Sequence, residues 1–313
     1  ANTFIKKNSS LGGVLVKDRF IVLNSVLNGI IICDINGKII QHINHKKGLQ
    51  NNTVLTSFID KSKNIWLGLD NGIAFVNDNS PFTYFGFSYD ISTVYASVVH
   101  KGNLYVATNQ GVFYHSWNIP FQEGNFSLVE GTTGQTWNIQ SIDGQLLCAN
   151  NNGALLIEEN RTVKILDSNG YFSFKKIPND PNHIVGANYN GFAIFEKNSS
   201  GCKFLNQISG FDKPSHSFEI DASYLWLKKD GLIYQMEISK DLTKFNSIKT
   251  HKNLSNSIKG IGSIQTIKNA VYFQTNNHFY KYSQDQDRFF EDTKISALFK
   301  NLPKIHALSE DAL

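Results

Sequence analysis

A short hairpin unit recurs along the whole of this chain, and the repeat restricts the fold more than any other feature. Two apolar runs joined by a polar, glycine-containing turn appear as IWLGLDNGIAFV (65–76), LYVATNQGVFYH (104–115), LLCANNNGALLI (146–157) and IVGANYNGFAIF (184–195). Looser copies are FIVLNSVLNGIIIC (20–33), LWLKKDGLIYQM (225–236) and VYFQTNNHFYKY (271–282). The turn positions are Gly29, Gly72, Gly111, Gly153, Gly191, Gly231 and His278. They follow one another in steps of 38 to 47 residues, averaging 41.5. Asn-Gly or Asp-Gly between apolar runs is a strong hairpin signal, because both turn residues tolerate positive φ.

Each hairpin is preceded by another strand-like run, as in TVLTSFID (53–60), TVYASVVH (93–100), TWNIQSID (136–143) and YFSFKKI (171–177). A fourth follows, as in FTYFGF (82–87), FSLVEG (126–131), CKFLNQI (202–208) and RFFED (288–292). Four strands in roughly 40–45 residues is the period of a propeller blade. The expected fold is therefore all-β: a single seven-bladed β-propeller over residues 1–313, with four antiparallel strands per blade. A β-sandwich would supply similar strands but no fixed four-strand period. The turn glycines are read as structural. So are the small residues four positions before them (Gly68, Ala107, Ala149, Ala187), which let backbones approach closely. Trp66, aligned with Tyr105 and Leu147, is expected to pack between blades. At the N-terminus, NTFIKK (2–7) is expected to be strand-like and to take part in closing the ring with the C-terminal end, where KIHALSED (304–311) resembles a first strand.

The abundance of Phe (23) and Tyr (12) agrees with a strand-rich chain. The net charge of +4 comes from dispersed lysines, with Arg19, Arg161 and Arg288 the only arginines. No basic stripe forms, so direct nucleic-acid binding is not expected. Cys33, Cys148 and Cys202 are too few for a disulfide framework and form no CxxC pair. They are read as small buried residues. No apolar run approaches the ~18–20 residues that span a bilayer.

Residues 48–76, GLQNNTVLTSFIDKSKNIWLGLDNGIAFV, resemble the repeat of the two-component-regulator propeller family. Gly48, Leu49, Asn52, Val54, Asp60, Ile65, Trp66, Gly68 and Gly72 match it, while Asn64 and Leu69 replace the usual Gly and Thr. The other repeats match progressively less. The resemblance implies an extracytoplasmic (periplasmic) sensor region of a bacterial inner-membrane regulator. Its neighbours in such a parent are a second propeller, a β-sandwich with a triple-tyrosine motif, a membrane helix, and a histidine-kinase or LuxR-type output. LPKIHALSEDAL (302–313) resembles the opening of a further repeat, so the sequence is expected to be a piece of a longer sensor.

Motifs for chemistry are sparse. His42 and His45 form an HxxH spacing on what reads as a loop, with no acid or cysteine nearby to complete a zinc site. No metal or cofactor is expected, and no P-loop, dinucleotide fingerprint or nucleophile elbow is present. The first strands of the early repeats carry Thr, Tyr, Trp and Asn rather than the paired acids of a glycoside hydrolase. The candidate ligand-binding residues are Asn51, Asn52, Tyr95, Trp137, Tyr171 and His216, at or beside the starts of those strands on one rim. Aromatic faces with amide partners suit an oligosaccharide. The expected function is non-catalytic sensing of a ligand or partner. The alternatives are a polysaccharide lyase or glycoside hydrolase, and a scaffold that packs a neighbouring domain or a homodimer mate.

Overall fold

The computed structural model describes residues 1–17, 19–77, 85, 89–117, 125–198, 201–254, 262–268 and 270–299. Within them the chain folds into seven consecutive antiparallel sheets, six of four strands and one of three. The sheets occupy residues 10–43, 54–76, 94–128, 136–167, 171–207, 217–251 and 263–291, and are numbered 1 to 7 here. In each, neighbouring strands follow chain order, so every sheet is an up-and-down meander. The expected fourth strand of sheet 2 (82–87) and the expected further repeat at 301–313 lie outside the described residues.

The contacts divide the chain into two compact units. One comprises Ala1–Thr93, Lys101–Leu104 and Phe113–Ser127; the other comprises Val94–His100, Tyr105–Val112 and Leu128–Leu313. In the first unit, the first strands of sheets 1 and 2 (Ser10–Val16 and Val54–Ile59) lie side by side. Val22, Ile30, Val54, Ile65 and Leu67 fill the core of this unit. In the second unit, five first strands adjoin in succession: Val94–His100, Thr136–Ile142, Tyr171–Ile177, Ser217–Ile220 and Ser263–Ile267.

Apolar layers lie between the successive sheets of this second unit. Leu147, Ala149 and Leu156 meet Phe174, Ile184 and Phe195. Phe192 and Ile194 meet Phe218, Leu225 and Met236. Trp226 and Ile233 meet Phe273, Tyr280 and Phe289. The hairpin strand Gln145–Asn150 is buried from Leu146 to Asn150, so it reads as a continuous apolar run rather than an alternating one. The three cysteines are all buried, and desolvation pushes the Cys148 thiol up to about 12.

Two expectations about the N-terminal part need correction. Residues 2–7 are not strand-like: Asn2–Asn8 is a helix, α1. Its Asn8 side chain donates to the Phe4 carbonyl, and Ser9 ends it in the left-handed region. Lys6 and Lys7 sit in its last turn, where cations complement the helix dipole. The first strand of sheet 1 is instead Ser10–Val16, whose Gly12 and Gly13 obscure it in the sequence. His42 is on a strand (Ile39–Ile43), not a loop; its Nε2 lies 2.8 Å from the Asn28 carbonyl and its ring meets Phe4 edge-on.

Trp66 also departs from its expected packing role. It is 41% exposed, whereas Tyr105 and Leu147 are buried. Phe58, Trp66 and Phe75 are cross-strand partners and make an exposed apolar row on sheet 2.

Candidate functional site

A cavity of about 340 Å³ opens on the second unit, lined by the first strands of sheets 4, 5 and 6 and by Ile264 of sheet 7. Its position follows from a repeated backbone irregularity. In sheet 4 Thr136 pairs with Asn150 but Asn138 pairs with Ala149, which leaves Trp137 as an extra residue. In sheet 5 Tyr171 pairs with Asn188 but Ser173 pairs with Ala187, which leaves Phe172 extra. Such bulges re-aim a side chain and restore the alternation one residue later. Trp137 and Phe172 therefore both line the cavity. Beyond the bulges the lining continues with Asn138 and Gln140 on sheet 4 and with Ser173, Phe174 and Lys175 on sheet 5.

The mouth is aromatic. The rings of Trp137 and Phe172 are 5.8 Å apart, and His216 lies edge-on to Trp137 at 5.5 Å. Trp137 Nε1 donates to the Tyr189 hydroxyl at 3.1 Å, which fixes the indole plane. Tyr95 meets the other side of this group, 5.3 Å from Trp137, and its hydroxyl accepts from Gln135. Burial, and then the charge of Lys229, lowers the His216 pKa.

The base is polar and tightly connected. Lys175 Nζ donates to both carboxylate oxygens of Glu219 at 2.7 Å. Thr266 Oγ1 donates to Glu219 Oε2 at 2.8 Å, and Gln140 Oε1 accepts from the Phe174 backbone N–H at 3.0 Å. These bonds link the first strands of sheets 4 through 7 in series. Glu219 is only 8% exposed, so a charge at this depth requires the partners it has. Among the described residues, no group of three or more His, Cys, Asp or Glu is arranged to hold a metal ion.

The six candidate residues separate into two sets. Trp137 and His216 line the cavity, and Tyr95 packs on Trp137. Tyr171 does not reach it: the residue is fully buried, and its hydroxyl donates to Asp167 Oδ2 at 2.6 Å. The bulge assigns the site to Phe172 instead. Asn51 and Asn52 belong to the other unit and organise a loop there. Asn51 Oδ1 accepts from the Thr53 N–H, and Asn52 Oδ1 accepts from the His45 N–H. Beyond the early repeats, the first strand of sheet 6 carries one acid, Glu219. Lys175, Gln140, Glu219 and Thr266 are the site residues that sequence reasoning missed. Their signal is their place on first strands, and what the sequence does not show is which of these strands adjoin.

No protein-family model matches this chain, and neither does any curated protein. Among solved structures, it is similar to the extracellular domain assigned to a hybrid two component system, BT3049, from B. thetaiotaomicron. That likeness has a TM-score of 0.52 at 15% identity and covers 90% of this chain and 46% of the other. The extracellular domain assigned to the one component system BT4673 from the same organism aligns with a TM-score of 0.40 at 15% identity, over 91% of this chain and 49% of the other. The chain thus spans about half the length of these structures. At this identity the likeness to BT3049 is one of fold.

Proposed function

We propose that this chain is a non-catalytic sensing propeller, part of the extracytoplasmic portion of a bacterial transmembrane regulator, and that its cavity takes a small hydroxyl-rich ligand such as the end of an oligosaccharide. The observation that carries the reading is the cavity: an aromatic mouth of Trp137, Phe172 and His216 over amide and hydroxyl groups from three sheets. Its volume falls at the lower end of the roughly 300–1,000 Å³ range of small-molecule sites. Sugar rings stack on such faces while side-chain amides bind their hydroxyls. Hydrolysis by a carboxylate pair finds less support, because Glu219 is the one carboxylate among the lining residues and is held by Lys175 and Thr266. Binding would act by biasing one arrangement of the parent sensor over another.

The test is calorimetric titration with a panel of neutral oligosaccharides against the wild type and Trp137→Ala. At least one sugar should bind the wild type, with a loss of tenfold or more in the variant. Equal binding to both proteins would place the ligand elsewhere. A second reading, a scaffold for a neighbouring propeller, sandwich domain or second copy, rests on the exposed row Phe58, Trp66 and Phe75.

A further inference from the structure

The base of the cavity presents an ion pair rather than a lone charge, and the donor and acceptor counts indicate what it selects. The Lys175 ammonium has three protons, and two of them go to Glu219. The Glu219 carboxylate has about four acceptor positions, and three are taken by Lys175 and Thr266. The pair therefore offers one spare donor and one spare acceptor side by side, each strengthened by charge. Two adjacent hydroxyls on a ring satisfy both without altering the pair. A carboxylate reaching Lys175 would sit against Glu219, and an ammonium reaching Glu219 would sit against Lys175. Either ion loses its water at a site where the opposite charge is already neutralised.

We propose that Lys175 and Glu219 form a charge filter, restricting the cavity to uncharged, vicinally hydroxylated ligands and rejecting their acidic and amino counterparts. The inference rests on the sensing role given to this cavity above. The filter is reciprocal: removing one member leaves the other as an unpaired charge that favours its opposite. Glu219→Gln leaves Lys175 to attract an anion, and Lys175→Met leaves Glu219 to attract a cation. The double variant Lys175→Met/Glu219→Gln has no charge left to discriminate with. It also removes the unpaired buried charge that threatens the folding of either single variant.

The experiment titrates matched trios of methyl glycosides in the gluco, galacto and manno configurations. Each trio contains the neutral sugar, its 6-carboxylate and its 2-amino derivative, and each protein's fold is checked by its circular dichroism spectrum. In the wild type the preferred neutral sugar should bind at least tenfold more tightly than its uronide and its amine. Glu219→Gln should reverse the order for the uronide, and the double variant should bind all three within about threefold. If the wild type binds neutral and charged members equally, the filter is wrong while the sensing site stands. If no trio binds the wild type, the saccharide reading fails and the filter falls with it. If the double variant keeps the wild-type preference, the discrimination comes from other residues and the proposal is overturned.

Discussion

Equivalent turn glycines in the repeat should differ widely in what a single methyl group costs, and Gly191 against Gly231 is the sharpest comparison. Both begin the return of a hairpin and both have positive φ, +113° and +74°. A Cβ on Gly231 would meet no atom within 4 Å. Gly231→Ala therefore carries only left-handed strain, about 1–2 kcal/mol, reduced by about 0.4–1 kcal/mol because alanine restricts the unfolded chain. A Cβ on Gly191 would lie 2.2 Å from the Phe211 carbonyl oxygen, a backbone atom. That carbonyl cannot retreat easily, because the Phe211 ring is packed against Phe192 and Tyr234. Backbone strain of about 1–3 kcal/mol and overpacking of about 1–3 kcal/mol then add to a loss of about 2–6 kcal/mol, before the same reduction of about 0.4–1 kcal/mol from the unfolded chain. Urea unfolding followed by far-UV circular dichroism measures both variants against the wild type, with an unchanged m-value as the control. Gly191→Ala should shift the midpoint several times further than Gly231→Ala. Equal shifts would show that hairpin geometry, rather than the Phe211 carbonyl, sets the cost.

An aspartate holds the indole of Trp66 and another that of Trp226, and these two should respond differently to mutation. Asp221 accepts from the Ser223 and Tyr224 N–H groups and from Trp226 Nε1, whose ring is only 1% exposed, so Asp221→Ala should cost about 2–3 kcal/mol in urea unfolding. Asp60→Ala, beside the exposed Trp66, should cost well under half of that. The Trp66 indole hydrogen bond, and then the Asn64 N–H, hold the Asp60 carboxyl below the usual aspartate range. Its contribution to stability is thus complete above the unfolded pKa and is lost as pH falls through the lower folded value. Trp66→Phe should move the Asp60 titration upward in carboxyl NMR, and an unmoved titration would rule out the indole as its main cause.

The repeat was legible because its signals are local. An Asn-Gly or Asp-Gly turn between apolar runs needs no knowledge of neighbours, and each turn named from the sequence does lie between the second and third strands of a sheet. The N-terminal segment was less legible because Phe4 and Ile5 satisfy a strand pattern over too short a stretch to reveal a helical period. The next segment, SLGGVLV, hides a strand behind two glycines that propensity alone would exclude. Trp66 misled for a related reason. Its alignment with Tyr105 and Leu147 fixes its place in the repeat, but whether that place is covered depends on what packs over sheet 2.

The site was half legible, and the bulge explains which half. A first strand read with strict alternation from its start assigns Tyr171 to the rim, because Tyr171 stands where TWNIQSID and TVYASVVH offer Thr and Val rather than Trp and Tyr. One extra residue on the strand sends Tyr171 into the core with Phe174 and Phe195, and sends Phe172 to the position that Trp137 holds in the preceding sheet. The extra residue exchanges the faces of Tyr171 and Phe172 and leaves the later residues on the faces that alternation from Tyr171 gives them. Ser173 and Lys175 line the cavity with Glu219 whether or not the bulge is placed. The charged base of the cavity was therefore encoded as ordinary alternation, and what the sequence does not reveal is that Lys175 reaches Glu219 on the adjoining strand. A ligand sitting on that base would touch strands from several sheets at once. In the sensing role proposed above, its binding energy would act on the mutual spacing of those strands.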